Sequence, residues 1–137
     1  MRIFLDANIV FAACWSDGAI RRLLRELLAK DHSLLVDDYV LGEARRNLAA
    51  KSRDGVRELD RLVRKLKTVP FMPHLDSTIE AALPEKDRPV LASAIHSSCD
   101  ALVTGDRRHF GRLYGRTIGG VAIHDPASLA EALLFYS

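Results

Sequence analysis

Short apolar runs bounded by polar residues alternate along this chain with longer segments in which apolar positions recur every third or fourth residue. A short continuous run is how a strand buried on both faces reads, and the longer spacing is that of a helix with one face in a core. The pattern predicts a first strand over about Arg2 to Leu5. A helix capped by Ser16 follows, with Ile20, Leu23, Leu24, Leu27 and Leu28 as its buried stripe. Leu34 to Val36 reads as the second strand, and Asp38 as the cap of a helix from roughly Tyr39 to Ala50. Ser52 and Asp54 open another helix running to about Lys67, with Val56, Leu59, Leu62, Val63 and Leu66 facing inward.

Thr68 to Phe71 predicts a third strand, and Pro70, which cannot donate to a ladder, assigns it to a sheet edge. Thr78 to Leu83 is one helical segment, and Asp87-Arg88-Pro89 starts the next. Ala101 to Thr104 is a fourth strand that ends at Gly105-Asp106, with a short helix over Arg107 to Leu113. Val121 to Ile123 makes a fifth strand, and Asp125-Pro126 opens a last helix with Leu129, Ala132 and Leu133 inward. Strands alternating with helices imply an α/β fold with a mainly parallel sheet, and 137 residues fit a single domain over 1–137.

Composition narrows the class. The hydrophobic share of 48% is that of an ordinary globular protein, and no apolar run approaches the roughly 18–20 residues of a membrane helix. With no secretory pattern at the start, a cytoplasmic protein without membrane contact is expected. Cys14 and Cys99 are then expected as free, largely buried thiols. The net charge is only +2, but residues 45 to 67 carry nine Lys or Arg against three Asp or Glu, and residues 68 to 106 carry two against six. A basic run is by itself a solvated helix face; it acquires meaning only beside an acidic, metal-loaded site.

Four acids supply the candidate for such a site. Asp6 interrupts the apolar run of the first strand, which is costly inside a fold unless something pairs with it. In a parallel sheet the strand ends share one edge, so Asp6 and Asp106 converge there if strands one and four are neighbours. Asp87 opens the helix before strand four and reaches the same edge; Glu43, one turn into the helix after strand two, can overlook it. Carboxylates packed together repel and imply protons or a metal. The all-oxygen set suits Mg²⁺ or Mn²⁺, whereas the five histidines show no zinc spacing. Bland roles stand beside this reading: Asp87 and Asp106 as helix caps, Glu43 as a polar position on an amphipathic helix, and Asp37, Asp38 and Asp125 as turn and cap residues. Asn8 and Thr104 either orient a carboxylate or water at the metal, or serve ordinary turns.

The segments Leu5-Asp6-Ala7-Asn8-Ile9, Glu43, Asp87 followed by Leu91-Ala92 and Ala94, and Val103-Thr104-Gly105-Asp106 together resemble the PIN domain, especially the VapC-like ribonuclease toxins and related stand-alone PIN proteins. The resemblance covers almost the whole chain. It implies a three-layer fold with a five-stranded sheet ordered 3-2-1-4-5, metal-dependent cleavage of RNA, and a homodimer. It further implies metal-binding and catalytic roles for Asp6, Glu43, Asp87 and Asp106, with Thr104 as the polar residue at the strand end. In the toxins a small antitoxin blocks this site. On that reading Arg45, Arg46, Arg107 and Arg108 flank the acids and hold phosphates of single-stranded or looped RNA. Trp15 and Tyr39 have base stacking as one role, with core packing the more ordinary one. Two rivals remain: a non-catalytic PIN-like module that binds metal and protein, and a phosphatase with Asp6 as nucleophile. The second wants an acid two residues on, where Asn8 stands.

Overall fold

The inner strands are short and mostly buried, as a parallel sheet covered on both faces requires, while the two edge strands are exposed or half-buried. The structure is a computed structural model that describes residues 1–81, 83–85 and 88–135. β1 (Arg2–Leu5) lies at the centre, paired in parallel with β2 (Ser33–Asp37) on one side and β4 (Ala101–Val103) on the other. β3 (Lys67–Val69) pairs beyond β2, and β6 (Val121–His124) beyond β4, both in parallel. Ile3, Phe4, Leu35, Leu102 and Ile123 are fully buried across this layer. The order β3-β2-β1-β4-β6 reproduces the expected 3-2-1-4-5, and Pro70 sits just past the edge strand.

A sixth strand corrects the count of five. β5 (Thr117–Ile118) runs antiparallel to β6 at the far edge, and two residues are too few to show any alternation. The turn between them is Gly119-Gly120, with φ of +58° and +84°, the pair that a two-residue hairpin favours. Gly119 is needed twice over, because a Cβ there would lie 2.7 Å from Ile95 Cδ1.

The helices show a second departure. Ala7–Trp15 forms α1, where no helix is expected from the spacing. Ala7, Ile9, Val10, Ala13 and Cys14 are all buried and α1 packs against α2 (Ala19–Ala29), α3 (Asp38–Lys51) and α4 (Arg53–Val63), so it carries no polar face to reveal its period. Ser16 therefore ends α1, and Gly18 rather than Ser16 precedes α2. Ser52 caps α4 as its sequence predicts, but the helix stops short of Lys67, whose backbone is taken up by β3.

Beyond β3 the chain forms α5 (Ser77–Ala81), α6 (Arg88–His96) and α7 (Arg107–Phe110), the last tightening into a 3-10 turn over Gly111–Leu113. Asp125 caps α8 (Pro126–Ala130), which widens into a π turn over Glu131–Phe135; Leu129 is buried while Ala132 is exposed. Cys14 and Cys99 are free and buried, and burial pushes both thiols up to about 11, which makes them poor nucleophiles. Among the described residues no helix is long and apolar enough to cross a membrane.

The cap of α3 is Asp37, one residue before the expected Asp38. Asp37 is fully buried; its Oδ1 accepts from Val40 N at 2.8 Å, but its Oδ2 has no partner among the described residues. A buried carboxylate oxygen without a donor costs stability that a neutral cap would not. Asp37→Ser keeps a capping oxygen and removes the orphan, so urea unfolding at pH 7 should place it at or above wild type. Asp37→Ala, which loses the cap, should fall about 1 kcal/mol below the serine variant.

Candidate functional site

Register places the site. Leu5 pairs with Val103, so the next residues, Asp6 and Thr104, emerge side by side where β1 and β4 end. The junction is tied by the backbone as well, with Asp6 N donating to Val103 O at 3.1 Å and Thr104 N to His124 O at 3.0 Å. Asp6 is only 7% exposed and Thr104 not at all. Every oxygen of the Asp6 carboxylate is held: Oδ1 accepts from Ala7 N at 2.7 Å, and Oδ2 from Thr104 Oγ1 at 2.8 Å and Asn8 Nδ2 at 3.2 Å. The cost of interrupting the strand with an acid is thus offset by a fixed set of donors. Asp6 also ends β1 and starts α1, so one residue orients both elements.

Asn8 and Thr104 orient the carboxylate, the first of the two roles their sequence positions allow. Asn8 Oδ1 in turn accepts from Gly105 N at 2.7 Å, and Thr104 Oγ1 accepts from Asp106 N at 3.1 Å. The loop carrying Asp106 is therefore fastened to Asp6 through two side chains. Asp106 caps α7 by accepting from His109 N at 3.1 Å, and its Oδ2 lies 2.6 Å from His109 Nδ1. Capping and site membership, which look like alternatives in the sequence, coexist in one residue.

Glu43 approaches from α3, on the helix face that also carries Tyr39, Asn47 and Lys51. All four, with Asp6 and Asp106, line one open groove of about 980 Å³, which Phe11, Glu85 and His109 also border. Three of the four expected acids share this groove. Asp87 lies outside the described residues. Among the described residues, no three carboxylate, imidazole or thiolate groups stand close enough to hold an ion between them directly.

Their charges are nevertheless coupled. Burial pushes Asp6 up, the donors from Thr104, Ala7 and Asn8 pull it back, and the Asp106 charge adds to the rise. Glu43 is raised by burial and then by Asp6 and Asp106, with Arg46 opposing. Burial also works on Asp106, but the His109 ring and its backbone N–H outweigh it and leave this carboxyl below its usual range. Of Asp6, Glu43 and Asp106, the first two therefore resist ionisation and the third ionises readily.

The arginines expected to flank the acids stand outside the groove's lining, with Arg46 near enough to act on the Glu43 charge. None of Arg45, Arg46, Arg107 and Arg108 lines the groove. Arg45 is paired with Asp60 at 2.9 Å, Arg46 Nη1 would lie 3.3 Å from a Cβ on Gly42, and Arg107 and Arg108 are exposed outside it. Among the described residues Lys51 is the lysine that lines it, its Nζ 5.3 Å from the centroid of the Phe11 ring. The four-residue repeat from Tyr39 to Lys51 is the sequence signal that would have found it. Trp15 and Tyr39 are 49% and 43% exposed, which removes the core-packing reading for both.

These contacts fix the signs of two measurements. Asp6 and Glu43 have folded pKa values above their ordinary 3.8 and 4.5, so the stability they lend is full below those values and is lost as pH rises through the folded ones. Asp106 has the opposite sign: its contribution is present above 3.8 and lost as pH falls through its lowered value. Carboxyl titration by NMR should therefore show Asp6 moving higher still in Thr104→Val, and by less in Asn8→Ala, whose donor is the longer one. In His109→Ala, Asp106 should rise toward its ordinary value.

The sequence profile of the PIN domain matches residues 2–108. Curated protein sequences give no match. Among solved structures, a chain in the crystal structure of VapBC2 from Rickettsia felis bound to a DNA fragment from their promoter aligns with a TM-score of 0.67 at 20% identity, covering 91% of this chain and 98% of that chain. That likeness is one of fold, an α/β sheet flanked by helices. With the profile spanning most of the chain, including Asp6, Glu43 and Asp106, the protein belongs to the PIN domain family.

Proposed function

We propose that this PIN domain protein is a metal-dependent endoribonuclease that hydrolyses RNA phosphodiester bonds, and that it acts as the toxin of a toxin–antitoxin pair. The observation that carries the nuclease reading is the placing of Asp6, Glu43 and Asp106 along one groove at the ends of the central strands. Asp6 and Glu43 are destabilised in their charged forms by burial and by neighbouring acids, the condition a dication relieves. All candidate ligands are hard oxygens, which fits Mg²⁺ or Mn²⁺. These ions keep several waters, so the carboxylates need not all touch the ion.

Asp6, Glu43 and Asp106, with Asp87 from the sequence, would hold the metal. When bound, the ion supplies neutralisation of charge at the scissile phosphate and a lowered pKa for water. Thr104 and Asn8 hold the Asp6 carboxylate in one orientation, which limits the side-chain freedom it has to lose on binding. His109 holds Asp106 in its ionised form. Lys51 offers a cation to the phosphate backbone from the groove's own wall.

The toxin assignment, an antitoxin partner, a homodimer and a cytoplasmic location rest on the VapC-like motif resemblance, with the VapBC2 fold likeness beside it. A phosphatase with Asp6 as nucleophile is disfavoured, because that chemistry wants a second acid two residues on and Asn8 stands there, its amide donating to Asp6.

Incubation with single-stranded RNA should give cleavage with Mg²⁺ or Mn²⁺ and none with EDTA. Asp6→Asn and Asp106→Asn should each cost about 3 kcal/mol of transition-state stabilisation, on the order of a hundredfold in rate. Thr104→Val should weaken metal affinity by about 10–100-fold. Metal-independent cleavage would overturn the mechanism. Metal binding with no turnover would make the protein a non-catalytic module.

A further inference from the structure

Tyr39, Glu43, Asn47 and Lys51 follow one another at four-residue intervals along α3 and all line the groove. At the helical rise, the first and last are about 18 Å apart, with Glu43 between them. Each end of this stripe carries a stacked aromatic pair. Tyr39 stacks on Phe71, ring centroids 5.1 Å apart and planes within 8°. At the other end Lys51 lies over Phe11, which stacks on Trp15 at 5.6 Å and 15°. Tyr39, Phe71 and Trp15 remain 43%, 41% and 49% exposed.

Each stacked pair presents a flat, partly exposed aromatic face beside the groove. Glu43 and Asn47 stand between the two pairs along α3, so an acidic and amide stretch of the groove separates them. That spacing, together with a lysine at one platform, suits a chain whose flat apolar units alternate with anionic links. We infer that the two pairs are stacking platforms for unpaired nucleobases, holding a single strand across the groove so that a phosphate between the bases faces Asp6 and Glu43. The inference rests on the ribonuclease reading and adds to it: bases tied up in a duplex have no free face to offer these rings, so single-strandedness is selected by the aromatic pairs. Lys51 contacts a backbone phosphate beside the Phe11–Trp15 platform.

Trp15 is the chain's single tryptophan, so its fluorescence reports one platform alone. The test titrates the full-length protein, with Ca²⁺ in place of Mg²⁺, with an eight-nucleotide single-stranded RNA and with a strand of equal length and charge made of abasic units. The base-bearing strand should quench Trp15 and bind more tightly. Tyr39→Leu and Phe71→Leu should each weaken its binding roughly tenfold while leaving the abasic strand unchanged, and Tyr39→Trp should restore affinity. Equal binding of both strands, or equal weakening of both by the leucine variants, would overturn the platforms while metal-dependent cleavage left the nuclease reading standing. A shift in oligomeric state by sedimentation, without any base-dependent loss, would assign the Tyr39–Phe71 pair to a protein interface and likewise overturn them. Absence of both RNA binding and cleavage would remove the nuclease reading and the platforms together.

Discussion

The site depends on keeping a nearly buried carboxylate fixed at the junction of two parallel strands. Asp6 sits where β1 turns into α1, and its oxygens take hydrogen bonds from its own helix, from Asn8 and from Thr104 on the neighbouring strand. Removing any of these donors leaves a charged group short of partners in a site that is 7% exposed. The constraint propagates outward: Thr104 and Asn8 also hold the loop of Asp106, so the positions of two acids are set by one small network. The pairing of β1 with β4 is thus a condition for the chemistry as well as for the fold.

Electrostatics divides the acids by their surroundings. Asp106 has an imidazole and a backbone N–H to support its charge, whereas Asp6 and Glu43 are raised by burial and by the acids around them. The divalent cation proposed for this groove would favour the ionised form of Asp6 and Glu43 together. α3 supplies the third acid and, on the same face, the lysine and tyrosine that line the groove on either side of it.

Much of this is legible in the sequence, and the failures have physical causes. The parallel order around β1 follows from alternating runs, and an acid directly after the apolar run that ends at Leu5 is enough to place Asp6 at the strand end, where the groove lies. α1 stays hidden because it is buried among three other helices and so carries no polar stripe, and β5 because two residues carry no period. Asp37 and Asp38 are chemically equivalent caps, and only the backbone tells which one accepts from Val40. The four arginines stand out as a cluster, yet long side chains on a solvated face find nearby acids, as Arg45 finds Asp60. Lys51 stands apart from them and is legible only as part of a four-residue repeat with Glu43. Trp15 and Tyr39 cannot be assigned to core or surface by residue type alone, since both roles suit an aromatic ring with a polar end.

The most direct test of the central claim is to diffuse Mn²⁺ into crystals of the protein and locate it by anomalous scattering. The carboxylate account predicts a peak in the groove with an Asp6 oxygen and an oxygen of Glu43 or Asp106 at about 2.1 Å, the distance of the Mg²⁺ it replaces, and water in the remaining positions. A groove without manganese at saturating concentration, or an ion held by none of these acids, would contradict it.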